Sequence, residues 1–280
     1  MLGKKDTTRA DTTKRSVQNS STTLLANIRF MRVDDPIRTV VVTSAIPNEG
    51  KTFVAANLAV AMATSGIRTL VVEADMRRRS MARILNAHAK NGVYSVLSGE
   101  MELEDAVVPT KTKHLYFLDS EPHIPNPSDL INSNRYSELI ETAKSKYGYI
   151  VFDTPPVGTF VDAAVLGKKV DAVFMVIREN FTRRDEVARA AEQLKTADVS
   201  LSGLVMNYCE RQSNEYYYEY YYREDKNSSR ADAPKLSRKK SESNLKSKDQ
   251  SGTVDTEYQS RAKKSEAKKP RSWSNAPDLD

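Results

Sequence analysis

The stretch Val40-Val-Val-Thr-Ser-Ala-Ile-Pro-Asn-Glu-Gly-Lys-Thr52 limits the fold of this chain more than any other. An apolar run of strand length enters a turn, and Gly50-Lys51-Thr52 then opens a segment over 53–65 with helical patterning. Such a strand–turn–helix unit aims backbone N–H groups and the positive end of the helix dipole at one spot, where an anion is held. Lys51 is placed to reach the outer phosphates of a nucleotide, and the Thr52 hydroxyl to take a Mg²⁺ position. Of the two glycines usual in such loops only Gly50 is present; Ala45 stands where the first would be. Taken alone, the tripeptide also fits a chance turn.

Two further acidic stretches narrow the reading. Leu70-Val-Val-Glu73-Ala-Asp75-Met-Arg77 ends a second apolar strand, and Tyr149-Ile-Val-Phe-Asp153-Thr-Pro-Pro156 ends a later one. Strands are expected at 39–43, 69–72, 115–118, 149–152, 172–177 and 204–206, with helices at 51–65, 134–146 and 182–197, the last capped by Thr182. Continuous apolar strands alternating with helices predict an α/β fold, a three-layer sandwich of the P-loop NTPase type with a mainly parallel sheet. Parallel strands deliver their C-terminal ends to one edge, so Lys51, Thr52, Glu73, Asp75 and Asp153 are expected to converge on one Mg²⁺–nucleotide triphosphate. The bland alternative is that these acids only cap strands or helices.

The ends differ from the middle. Residues 1–23 are polar and unpatterned, which predicts a disordered arm, and Leu24, Leu25, Ile28 and Phe30-Met31 suggest a short lead-in helix within 24–36. The P-loop domain is expected over 37–210 and a tyrosine cluster over 211–222. Residues 223–280 read as a disordered basic tail, and a basic excess at both ends leaves the body near neutral. Apart from Tyr258 and Trp273 the tail lacks aromatics for base stacking, so specific nucleic-acid binding is not expected. No apolar run reaches the roughly 18 residues of a membrane span, and no apolar core follows Lys4-Lys5 as in a secretory signal, which points to a cytoplasmic protein. The single cysteine, Cys209, excludes an internal disulfide, and His88, His114 and His123 lack metal-ligand spacing. The remaining feature is Tyr216-Tyr-Tyr-Glu-Tyr-Tyr-Tyr222, which holds six of thirteen tyrosines beyond the last expected strand. It reads as an accessible row of acceptors or, more blandly, as an aromatic edge or low-complexity run. Tyr208 is assigned to the last strand and a structural role.

Together these residues resemble the bacterial tyrosine kinases of capsule and exopolysaccharide synthesis, within the deviant-Walker P-loop ATPases. Val40 to Thr52 matches their loop throughout, and Phe152 to Pro156 matches their third motif; the second, Val71-Val72-Glu73-Ala-Asp75-Met-Arg77, has Glu in place of its first Asp. The resemblance covers roughly residues 24–222. It implies an ATP- and Mg²⁺-dependent protein-tyrosine kinase that regulates polysaccharide polymerisation and export. Ser44, Pro47, Asn48, Glu49, Gly50, Lys51, Thr52, Phe53 and Asn207 would hold the nucleotide, with Asn207 reading adenine or merely ending a strand. Thr52, Asp75 and Asp153 would hold the metal, Lys51 would neutralise the transferred phosphoryl group, and Glu73 would be the base. Tyr216, Tyr217, Tyr218, Tyr220, Tyr221 and Tyr222 would be autophosphorylated between subunits. It further implies a transmembrane adaptor of the polysaccharide co-polymerase type, a position on the inner face of the plasma membrane, and an opposing phosphotyrosine phosphatase. Arg77, Arg78 and Arg79 would touch phosphate or an acidic partner, or form a solvated cluster.

One departure concerns assembly. The family's Glu-x-x-Arg-x-x-Arg ring helix aligns with Asn19, Thr22 and Leu25, which carry none of its charges. The alternatives are a partitioning or division-site ATPase switch and an ATP-binding scaffold of weak activity. The switch's signature lysine would fall at Ile46, and it gives the tyrosine row no purpose.

Overall fold

The computed structural model describes the backbone of residues 3–209 and the side chains from residue 13 onward; the tyrosine cluster and the basic tail lie outside the described residues. Strands β1 (Thr39–Ser44), β2 (Thr69–Glu73), β4 (Leu115–Leu118), β5 (Tyr149–Asp153), β6 (Ala172–Arg178) and β7 (Gly203–Asn207) are parallel, in the order β4-β2-β5-β1-β6-β7. A two-residue strand, β3 (Val108–Pro109), pairs antiparallel with β4 at the edge. Its Pro109 is tolerated there because an edge strand can spare a ladder N–H.

Alternation along each strand divides the core between two faces. Val41, Leu70, Val72, Ile150, Phe152, Val173 and Met175 face one layer; Val40, Val42, Val71, Val151, Ala172, Phe174 and Val176 face the other. The first layer contains α4 (Val93–Ser98), α5 (Leu103–Ala106), α6 (Pro127–Asn132), α7 (Asn134–Lys146), α8 (Asp162–Gly167) and α9 (Arg184–Thr196). The second contains α1 (Gly3–Met31), α2 (Lys51–Thr64) and α3 (Met81–Leu85). Ala55, Ala56, Ala59 and Ala63 are buried on α2, and such small side chains bring the helix close to its neighbours.

Several expectations are corrected. The arm expected over 1–23 and the lead-in helix expected over 24–36 are one helix, α1, that stops at Met31. No Gly or Pro interrupts residues 4–35, so nothing breaks the helix upstream of its apolar anchor. Its end precedes Asp35-Pro36, where the proline ring disfavours helical backbone in the residue before it. Leu25 and Ile28 are buried on α2, while Arg29 donates to the Tyr149 hydroxyl at 3.1 Å and to Ser65 Oγ at 2.9 Å. Thr182 does not cap α9, which begins at Arg184; there the Glu186 carboxylate accepts from the Arg183 N–H at 2.9 Å. Tyr208 is not in a strand: it follows β7 with a φ of 57° and its side chain is exposed.

α1 is anchored by its last two turns. Ile28→Ala should therefore lower unfolding stability by about 3 kcal/mol through transfer loss and an added cavity. Gln18→Ala, on the exposed face, should change it by less than about 0.5 kcal/mol. Urea unfolding followed by circular dichroism measures both.

Candidate functional site: a buried lysine–carboxylate cluster at the sheet edge

Register puts the acids together. Asp153, the last residue of β5, is paired with Glu73 at the end of β2 on one side and with Val42 of β1 on the other. From β1 the chain turns through the loop into α2, whose first residue is Lys51. Its Nζ lies 2.8 Å from Asp75 Oδ2, 3.6 Å from Asp153 Oδ1 and 3.3 Å from Thr52 Oγ1. Glu73, Asp75, Asp153 and Thr52 are all buried. The five side chains expected to converge thus lie together at one edge of the sheet.

Burial raises the proton affinity of both strand-end acids. It pushes the Asp153 carboxyl up to about 6, against the pull of Lys51. Burial also pushes Glu73 up to about 8, helped by the like charge of Asp153 and opposed by N–H groups of Met81 and Ser80. For Lys51, burial lowers proton affinity, but Asp153 and Asp75 outweigh it and the net shift is upward. Both oxygens of Asp153 and Oε1 of Glu73 are buried without a hydrogen-bond partner among the described residues. Buried oxygens left without a hydrogen-bond donor in this way suit a hard cation. No group of three His, Cys, Asp or Glu side chains among the described residues is arranged to hold a metal by itself.

The loop is built to present backbone. Gly50 has a φ of 84°, and a Cβ there would sit 2.3 Å from Asn207 Nδ2. No side chain caps α2, so its first N–H groups stay open to a ligand. Asn48 has a φ of 71° and is exposed, as is Pro47 at the tip; Phe53 is 43% exposed on the first turn of α2. The expected first-glycine position is filled by buried Ala45, whose carbonyl lies where a Cβ on Gly158 would come within 2.3 Å. Gly158 therefore permits the close approach of loop and third motif.

Other expected ligand contacts are spent inside the protein. The Ser44 hydroxyl donates to the Ile46 carbonyl at 2.9 Å. Glu49 is fully buried: Oε2 accepts from the Ile46 N–H at 2.8 Å, and Oε1 accepts from the Thr182 hydroxyl. Asn207 Nδ2 donates to the Glu49 carbonyl and Oδ1 accepts from the Tyr208 N–H, both at 2.9 Å, so this side chain braces the loop. Glu73 Oε2 accepts from the N–H groups of Ser80 and Met81, at 2.8 and 2.9 Å. The extra methylene of Glu relative to Asp extends the carboxylate toward the start of α3.

Three contributors were missed by sequence reasoning. Ser80 Oγ donates to Thr52 Oγ1 at 3.1 Å, and the only signal was a Ser opening a short helix. Thr182 was noticed only as a cap. Asp162, fully buried, pairs with Arg77 at 3.4 Å; nothing in its surroundings in the sequence marks it.

A seven-stranded, mainly parallel sheet with a Gly-Lys-Thr loop and facing carboxylates at one edge defines a P-loop ATPase-type protein. The AAA domain profile matches residues 37–198. Tyrosine-protein kinase YwqD of Bacillus subtilis is 38% identical over 185 residues, 66% of this chain and 78% of that protein. The structure of the chimerical protein CapA2B2 superposes with a TM-score of 0.65 at 34% identity, covering 68% of this chain and 84% of that one. The septum site-determining protein MinD of Pyrococcus horikoshii, complexed with Mg-ADP, gives a TM-score of 0.54 at 25% identity, covering 63% and 72%. The chain belongs to the bacterial tyrosine kinase family, and the kinase reading is favoured over the division-site switch.

Because Glu73 binds its proton more tightly folded than unfolded, its contribution to stability is full below the ordinary carboxylate range and is lost as pH rises through about 8. Glu73→Gln removes the charge and keeps the shape. It should raise the urea midpoint of the ligand-free chain at pH 8.5 and raise it less at pH 5.5.

Proposed function

We propose that this chain transfers the γ-phosphoryl group of Mg-ATP to tyrosine, chiefly to its own Tyr216, Tyr217, Tyr218, Tyr220, Tyr221 and Tyr222 in a second copy. The observation that carries the reading is the Lys51 ammonium, 2.8 Å from Asp75 and 3.6 Å from Asp153, in a chain of this family. Thr52, Asp75 and Asp153 would hold Mg²⁺, which would supply positive charge to offset that of the phosphates. Gly50 and the open N–H groups of α2 orient the phosphate chain, and Lys51 offsets charge developing on the transferred group. Glu73 is the proposed base: its Oε1 has no hydrogen-bond partner among the described residues, and once its proton is displaced the carboxylate can accept the hydroxyl proton of tyrosine.

The wider setting is proposed on the family's ground. A transmembrane adaptor would dock the chain on the inner face of the plasma membrane, and a phosphotyrosine phosphatase would reverse the modification. No helix among the described residues is long and apolar enough to cross a membrane. The biological output would be control of capsular or exopolysaccharide polymerisation and export.

Purified protein with Mg-ATP should form phosphotyrosine, stimulated by the cytoplasmic segment of a co-encoded adaptor. Lys51→Met should lose the signal by at least about 100-fold, as for an electrostatic group acting on the transferred charge. Replacing all six tyrosines with Phe should remove the signal while ATP affinity stays the same. Signal persisting in the six-Phe variant would move the acceptors elsewhere.

A further inference from the structure

Three consecutive arginines stand at the rim of the site, all exposed. Two are committed to the fold. Arg77 lies 4.3 Å over the Phe160 ring, pairs with buried Asp162 at 3.4 Å and donates to Ser128 Oγ at 3.0 Å. Arg79 pairs with Asp119 at 2.8 Å. Arg78 differs. Its backbone N–H donates to Asp75 Oδ1 at 2.9 Å, which fixes it beside the metal-binding acid. Its guanidinium makes a single long hydrogen bond, 3.4 Å to Asn48 Oδ1 in the loop, and no ion pair among the described residues. A fixed positive charge is therefore left unneutralised between the loop and the end of β2. Beside it Met76, Arg77, His123, Asn126, Ser128 and Asp129 line an open cavity of about 540 Å³. Its polar lining suits a peptide with charged side chains better than an apolar cofactor.

The chain itself supplies such a peptide. Glu215, Glu219, Glu224 and Asp225 are interleaved with the tyrosine row, with Arg223 the one base between 212 and 225. Every tyrosine of the row lies within two positions of an acid: Tyr216 beside Glu215, Tyr217 between Glu215 and Glu219, Tyr218 and Tyr220 beside Glu219, Tyr221 two after Glu219 and Tyr222 two before Glu224. In an extended chain, residues two apart sit on one face about 7 Å from each other. A single cation that holds whichever acid is nearest could thus offer each tyrosine in turn.

We propose that Arg78, with the cavity beside it, docks the acidic residues of segment 215–225 from a second copy of the chain. The site thereby selects tyrosines that have an acid one or two positions away. This rests on the kinase reading, because docking matters for transfer only if the neighbouring cluster transfers phosphate. It accounts for six acceptors without six separate recognition sites.

The test separates donor from acceptor. The donor is the six-Phe variant, which keeps its site, and the acceptor is Lys51→Met, which keeps its tyrosines. Initial rates of phosphotyrosine formation are measured against acceptor concentration at saturating Mg-ATP. Converting Glu215, Glu219, Glu224 and Asp225 of the acceptor to Gln or Asn should raise its KM about tenfold, the scale of a lost charge-assisted contact. Donor Arg78→Glu should do the same to the unaltered acceptor, and an acceptor with those four acids changed to Lys should restore the rate with that donor. An unchanged acceptor KM after neutralisation overturns the proposal. So does wild-type autophosphorylation with a silent donor–acceptor pair, which would mean that each chain serves its own row. If wild type makes no phosphotyrosine, the kinase reading fails and docking is decided by fluorescence anisotropy of a labelled 213–226 peptide on the full chain. Binding lost in the Gln/Asn peptide then supports the docking surface, and equal binding of both peptides overturns it.

Discussion

Three carboxylates and one ammonium are kept nearly dry at the C-terminal edge of one sheet, and the surrounding architecture answers to that constraint. Register alone sets Asp153 beside Glu73, because β2 and β5 end on paired residues. Lys51 arrives from the other side, at the first residue of the helix that follows β1. An unpaired buried charge is costly, so the cluster persists by mutual neutralisation and by keeping protons on Glu73 and Asp153 well above the ordinary carboxylate range. A fold that tolerates this cost holds in reserve an environment suited to Mg²⁺ and polyphosphate.

The loop that faces the cluster is held by bonds unrelated to ligand. Glu49 reaches inward to Thr182 and Ile46, Asn207 holds the Glu49 carbonyl, and the Val157 N–H donates to the Ser44 carbonyl at 2.9 Å. Thr43 Oγ1 joins in, donating to the Pro155 carbonyl at 2.8 Å. Backbone just past β5 and the side chains of Thr182 and Asn207 thus hold a loop that begins on β1. Of the Pro-x-Glu insert, Glu49 works as an internal brace, while Pro47 and Asn48 stay exposed at the tip.

What could be read from sequence follows from how local each cause is. The six longer strands and the helices α2, α7 and α9 announce themselves through apolar runs and helical spacing, and the convergence of Lys51, Thr52, Glu73, Asp75 and Asp153 follows once the strands are parallel. α1 was misread because its first two-thirds carry no apolar face; helix there depends on the absence of breakers and on an anchor at Leu25 and Ile28. The roles of Thr182 and Asp162 were hidden because their partners, Glu49 and Arg77, are distant in sequence and met only by folding. Asn207 was legible as a strand end, but not the direction of its amide.

The central claim is that burial holds protons on the free cluster and that Mg-nucleotide displaces them. Calorimetric titration of the full chain with Mg-ATP at pH 6.5, in buffers of different ionisation enthalpy, counts those protons directly. The account predicts net proton release on binding, reduced in Glu73→Gln. Binding heats that do not depend on the buffer, or that are the same in the two proteins, would contradict it.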